Sequence, residues 1–161
     1  MKQLLLFMTA MMLAGCDDGM DGDQQAREAA GDWADAYFNC DFKDASGYVT
    51  TESQKWLQYA ASNTSAEELK LLQEAGGAKV TVDKRFDEAN DTMRLVTLNV
   101  TNSLKPSAQG KADLTKDGTF KVVVVKREAD WQVKMAGLPR SEEQSRDRKS
   151  FGMVYWVKER M

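Results

Sequence analysis

The stretch FKVVVVKREADWQVKM, residues 120–135, decides the fold. Val122 to Val125 is an apolar, β-branched run, so Phe120 to Arg127 reads as a strand with a core-facing centre. Glu128-Ala129-Asp130 turns the chain into a further strand, Trp131 to Met135. Upstream, Lys116-Asp117-Gly118 reads as a tight turn after a strand from Gly110 to Leu114, and Pro106 to Gln109 breaks a long strand from Met93 to Leu104. Before it, Glu88-Ala89-Asn90-Asp91 reads as a turn, and Val80, Val82 and Phe86 alternate with Thr81, Asp83 and Arg85 as on a half-buried strand. Loops this short join antiparallel neighbours.

Outward from the sheet the period changes from two to three and four. In Gln24–Asn39, Ala26, Ala29, Ala30, Trp33, Ala36 and Tyr37 form one helical stripe, opposite Arg27, Glu28, Asp32 and Asp35. A short helix or turn follows over Lys43–Tyr48, then a helix over Thr51–Ser62 with Trp56, Tyr59 and Ala60 on its apolar side. Ser65-Ala66-Glu67-Glu68 is a capping box opening another helix, which Gly76-Gly77 closes. Helices collected before an antiparallel meander imply an α+β domain, with the N-terminal helices on one face of a strongly curved sheet.

The helical opening with Trp33, Tyr37 and Phe42, the long strands and the closing Trp131-Gln132-Val133-Lys134-Met135 resemble the nuclear-transport-factor-2-like, SnoaL-like cone fold over Gln24 to Met135, and more narrowly the small envelope lipoproteins that carry it. A cystatin-like sheet with a single helix is the rival architecture. The resemblance implies a conical pocket, for which Tyr37, Tyr48, Trp56 and Tyr59 are the candidate lining residues; as ordinary core and rim aromatics they need no ligand. Catalytic relatives carry a polar dyad, often with histidine, inside the cone.

This chain has no histidine. That excludes Ser-His-Asp and Cys-His mechanisms and removes the commonest zinc ligand and neutral-pH base. No Walker loop, dinucleotide fingerprint, paired-cysteine motif or calcium loop occurs, so no cofactor, metal or catalytic residue is nominated. The formal charge of -3 argues against a nucleic-acid partner. Asp41, Asp44 and Asp83 are available carboxylates. Cys40 reads either as a small buried apolar residue near a helix end or as a reactive thiol.

The N-terminus begins with Lys2 and an apolar run from Leu4 to Gly15, the layout of a secretory signal and too short to span a bilayer, which takes about 20 apolar residues. Leu13-Ala14-Gly15-Cys16 resembles the bacterial lipobox, which implies cleavage before Cys16 and diacylation of its thiol. Residues 1–15 are then a signal peptide, 16–23 a lipidated acidic tether, 24–138 the α+β domain and 139–161 a C-terminal amphipathic extension. Localisation follows as the bacterial cell envelope, with the membrane as partner through the lipid. Asp17 and its acidic neighbours resemble both the inner-membrane retention signal of enterobacteria and the surface-export signal of Bacteroidetes, so the leaflet stays open.

In the extension, Ser141-Glu142-Glu143-Gln144 is a second capping box, leading into a C-terminal helix, and Phe151 to Val157 is apolar nearly all round. That segment must be covered by its own domain, a second copy, a protein partner or a membrane; Gly152 leaves helix and strand both open. Asp91-Thr92-Met93 resembles the short O-glycosylation acceptor of Bacteroidetes, on Thr92. The sequence thus predicts a lipid-anchored, non-enzymatic lipoprotein binding a small ligand or a protein. The alternatives are a carboxylate- or tyrosine-based enzyme in the cone and an assembly role through the tail.

Overall fold

A computed structural model describes residues 21–105 and 111–146. The leader, Cys16, the Pro106–Gln109 break and Phe151–Val157 lie outside the described residues. The chain is α+β. Helices α1 (Gly22–Phe38), α2 (Phe42–Ala45), α3 (Gln54–Asn63) and α4 (Ala66–Glu74) precede strands β1 (Lys79–Asn90), β2 (Met93–Lys105), β3 (Asp113–Arg127) and β4 (Asp130–Lys134), and a short α5 (Glu142–Arg146) follows. The strands form one antiparallel meander in the order β1-β2-β3-β4, curled but not closed. No helix among the described residues is long and apolar enough to cross a membrane.

Period two sorts the sheet into two faces. Val96, Leu98 and Val100 of β2, Phe120, Val122 and Val124 of β3, and Trp131 and Val133 of β4 all point to the concave side and are buried. Helix α1 crosses that side and touches all four strands. Its alanines Ala26, Ala30 and Ala34 let the backbone come close, and Trp33 between them is wholly buried. Burying one aromatic of this size is worth about 4 kcal/mol at about 25 cal/mol per Å², so Trp33 is the main anchor of α1.

Helix ends follow two solutions to one problem. Ser65 accepts from the Glu68 N–H at 3.2 Å and the Glu68 carboxylate takes the Ser65 N–H at 2.7 Å, closing the capping box that starts α4. Helix α4 ends on Gly76 (φ 81°), with the Gly77 N–H donating to the Leu72 carbonyl at 2.9 Å. Helix α1 ends in the same motif, with the Asp41 N–H on the Ala36 carbonyl at 2.9 Å, but there the left-handed residue is Cys40 (φ 62°). A residue with a Cβ in that conformation costs about 1 kcal/mol. The Asn39 amide beside it reaches across to β1, giving to the Ala78 carbonyl and accepting from the Ala78 N–H at 3.1 and 2.9 Å.

Two sequence expectations are corrected. Lys116-Asp117-Gly118 is not a turn: β3 runs unbroken through it, with Asp117 opposite Thr101 and Gly118 opposite Val100, so the two strands expected at 110–114 and 120–127 are one. Glycine is required there for another reason. A Cβ on Gly118 would stand 2.9 Å from the Phe120 ring, which lies across it on the same face. The expected turn Glu88–Asp91 also shrinks to Asp91 and Thr92, because Glu88, Ala89 and Asn90 pair with Leu95, Arg94 and Met93.

Strand edges are managed. β1 carries register shifts on both sides of Phe86, which disrupt an edge ladder. Val49 bridges to Val133, covering part of β4, and a buried hydroxyl relay fixes this join: Thr50 and Ser53 share a 2.7 Å hydrogen bond, and the Met135 N–H donates to Ser53 at 2.8 Å. Beyond the end of β4, Ser141 bridges to Phe120.

Candidate functional site

The concave side is where a curled sheet over helices holds a ligand, and here it holds the protein's own side chains. Trp33, Phe38, Leu98, Phe120, Val124 and Val133 meet there in one cluster, Phe38 and Phe120 at 4.6 Å between ring centroids. Tyr37 lies at the margin. Its ring stacks on Trp33 at 5.0 Å and 23° and meets Phe42 edge-on at 5.6 Å. Burial pushes the Tyr37 phenol well above its ordinary range, so it stays protonated.

Among the described residues no ring contact joins any two of Tyr37, Tyr48, Trp56 and Tyr59. Tyr48 and Trp56 are half-buried against the outside of the core, with no ring contact to Tyr37 among the described residues. The Lys55 ammonium sits 5.3 Å from the Trp56 ring. Tyr59, expected on the apolar side of its helix, is 54% exposed, and Leu57, not expected on that side, is buried with Ala60. Thr92 occupies the exposed β1–β2 turn, its N–H donating to Asn90 Oδ1 at 3.0 Å and its carbonyl accepting from Lys126 at 2.8 Å.

The most elaborate polar arrangement is one the sequence reading missed. Arg94 lies on the concave side at the turn end of the sheet, its side chain 14% exposed. Its guanidinium rests against the Trp131 and Phe86 rings at 5.0 and 5.5 Å. Nε and Nη2 both donate to Asp23 Oδ1 at 2.8 Å, and Nη1 donates to the Asn90 and Met93 carbonyls. Arginine alone offers a flat cation with enough donors for this. The result is a latch from the first turn of α1 to the hairpin ends. One signal was available: Arg94 shares the even spacing of Val96, Leu98 and Val100, which puts it on the buried face.

The remaining titratable groups say what chemistry is at hand. Burial, with Glu68 nearby, pushes the Cys40 thiol up to about 11, so it is protonated at neutral pH and a poor nucleophile. Asp44 and Asp32 raise Tyr48; hydrogen bonds lower Glu52, and Lys121 and Thr97 lower Asp87. All these shifts run away from neutral pH, where a general acid or base would have to titrate. No group of three or more metal-ligating side chains occurs among the described residues. Two buried donors, Trp33 Nε1 and Trp131 Nε1, have no acceptor among the described residues. A shallow polar depression of about 310 Å³ lies between β3 and α5, lined by Asp117, Gly118, Thr119, Ser141, Glu142, Glu143 and Arg146.

No family model matches this chain, and no curated protein matches it.

Proposed function

We propose that this protein is a lipid-anchored lipoprotein of the bacterial envelope whose domain works by binding a protein partner rather than by catalysis. The observation that carries the anchor is Leu13-Ala14-Gly15-Cys16 after a short apolar run. Two or more acyl chains hold a protein on a membrane durably, at about 0.8 kcal/mol per buried CH₂. The fold supports this economically. Helix α1 starts at Gly22, six residues past Cys16, and the Asp23–Arg94 latch ties that start into the sheet. The tether therefore ends on a rigid body. Helices ahead of a curled meander also fit the nuclear-transport-factor-2-like reading.

A partner is preferred over a small ligand because the concave side is filled by Trp33, Phe38 and Phe120. A second reading has one observation in its favour. The Trp33 N–H is buried without an acceptor among the described residues, an arrangement that costs about 1–3 kcal/mol and that a ligand oxygen entering beside Tyr37 would relieve. The enzymatic alternative draws no support from groups whose pKa values move away from neutrality.

Metabolic labelling with an alkynyl fatty acid tests the anchor. The full-length protein is expected to take the label and to fractionate with membranes, and Cys16→Ala to lose both. An unlabelled wild type with Met1 still attached sinks the reading. For the second reading, a thermal-shift screen on wild type and Trp33→Phe is decisive: a ligand that uses the indole N–H stabilises the former more.

A further inference from the structure

Helix α1 is unevenly secured along its length. From Ala26 onward it is pinned by wholly buried side chains, Ala26, Ala30, Trp33 and Ala34. Its first turn, Gly22-Asp23-Gln24-Gln25, has no apolar side chain to bury. That turn is also poorly started. Glycine is a weak helix former. Aspartate at an N-cap normally accepts from the first N–H groups, yet the Asp21 side chain makes no cap among the described residues. The backbone closes the turn instead, the Gln24 and Gln25 N–H groups both donating to the Asp21 carbonyl, at 2.8 and 3.1 Å.

Two side chains of the sheet act on this turn in opposite senses. Arg94 holds it down, giving both Nε and Nη2 to Asp23 Oδ1 at 2.8 Å. Trp131 works against it. The Gly22 backbone lies over the edge of the indole, so close that a Cβ there would stand 3.7 Å from Nε1. The Nε1–H is buried with no acceptor among the described residues. Lifting the turn lets water reach that N–H; keeping it down leaves a donor unsatisfied. The sheet side keeps its place meanwhile. Arg94 Nη1 is held by the Asn90 and Met93 carbonyls, and the guanidinium lies against the Trp131 and Phe86 rings, contacts that do not involve Asp23.

We propose that Gly22–Gln25 is a strap that opens and closes as a unit on this preset seat, hinged ahead of Ala26, while the rest of α1 stays packed. Its opening is a local step well short of unfolding the domain, because no buried apolar side chain of the helix leaves the core. Opening changes reach. Four residues rise about 6 Å as helix and about 13 Å extended, so about 7 Å of chain is added ahead of Ala26. What that length does rests on the anchor proposed above. A load drawn on the tether arrives at Gly22, beside the strap, and lengthens the tether before it strains the core. With the strap shut the tether ends on the rigid body; with it open the domain stands further off.

Hydrogen exchange of the full-length protein tests this, read by mass spectrometry at single amides. Amides 24–29 have their helical acceptors in the strap or just ahead of it, and amides 31–38 are the reference. In wild type the first group is expected to exchange about a hundredfold faster than the second, with a step after residue 29. Asp23→Ala should speed the first group about tenfold further and leave the second unchanged. Replacing Trp131 by benzothienylalanine, which keeps the shape but has sulfur in place of the N–H, should slow the first group about fivefold. A wild-type profile that is flat along α1, or that fades smoothly from its end as fraying does, overturns the proposal. So does an Asp23→Ala effect that is absent or spread evenly over the helix. Exchange at or above the wild-type rate with benzothienylalanine overturns it as well, since nothing would then work against the latch. Exchange reads the strap whether or not Cys16 carries lipid, so failure of the strap and failure of the anchor are separate results.

Discussion

The two faces of the sheet are built from the same strands and differ in every respect that matters. On the concave face Val96, Leu98, Val100, Val122 and Val124 are buried under the small side chains of α1 and the ring of Trp33. One residue along each strand, Leu95, Thr97, Lys121, Val123 and Val125 point the other way, half-buried or exposed, into a mixture of an apolar block and the Asp87–Lys121–Glu142 ion pairs. A two-residue period writes both faces into one sequence. It fixes the fold through the face that is uniformly apolar, and leaves the face that meets other things in mixed characters, where no simple pattern stands out.

The comparison is broken most directly at Trp33. Trp33→Ala should cost about 4 kcal/mol, because the cavity lies at the centre of the concave face where nothing is free to collapse. Trp33→Phe should cost much less, under about 1.5 kcal/mol, since the indole N–H has no hydrogen bond to lose. Val123→Ala, on the convex face, should cost no more than about 1 kcal/mol. Urea unfolding followed by far-ultraviolet circular dichroism measures all three. If Val123→Ala proves as costly as Trp33→Ala, the contrast between the faces is wrong.

A smaller effect sharpens the point inside one strand. Gly118→Ala should destabilise by about 2 kcal/mol, because its Cβ would stand 2.9 Å from the Phe120 ring and force it aside. Were 116–118 a hairpin turn, the same change would act through backbone conformation, and Phe120→Leu would not relieve it. With the ring across the glycine, Phe120→Leu should make Gly118→Ala nearly harmless, and a double-mutant cycle reads that coupling. An additive cycle would restore the turn.

These two sites also show where the sequence was legible. The stripe of α1, the Ser65 capping box, the glycine close of α4 and the alternation of β1 at Val80, Val82 and Phe86 are local patterns, and each lies where the sequence put it. Asp117-Gly118 and Glu88–Asn90 were misread because turn-forming residues are local signals too, and here cross-strand pairing outweighs them. The arrangement of the candidate pocket aromatics was not legible for a different reason. Helical period tells which way Tyr37, Trp56 and Tyr59 face on their own helices, but not whether those faces share a space. Tyr37 joins the core margin while Tyr59 faces solvent. Arg94 was missed because an arginine within a strand reads as outward by default; only its parity said otherwise.

The smallest effect is electrostatic and belongs to the convex face alone. Lys121 and Thr97 hydrogen-bond the Asp87 carboxylate and hold its pKa below the ordinary value, while Asp87 and then Glu142 raise Lys121. A carboxylate depressed on folding stabilises the fold above its unfolded pKa, near 3.8, and loses that contribution as pH falls through the lower folded value. Lys121, raised on folding, contributes below its unfolded value of 10.5 and loses the contribution as pH climbs past it. Both side chains are about two-fifths exposed, so solvent screening holds the pair below about 1 kcal/mol. Asp87→Asn should therefore cost a few tenths of a kcal/mol at pH 7, less in high salt, and nothing once the pH is below the folded pKa of Asp87. Val96→Ala, whose cross-strand neighbours Val122 and Phe86 on the concave face are apolar, should cost about 2 kcal/mol at every pH where the protein folds. A cost for Asp87→Asn that ignores both acid and salt would mean the carboxylate acts through packing, and the two faces would then differ in degree rather than in kind.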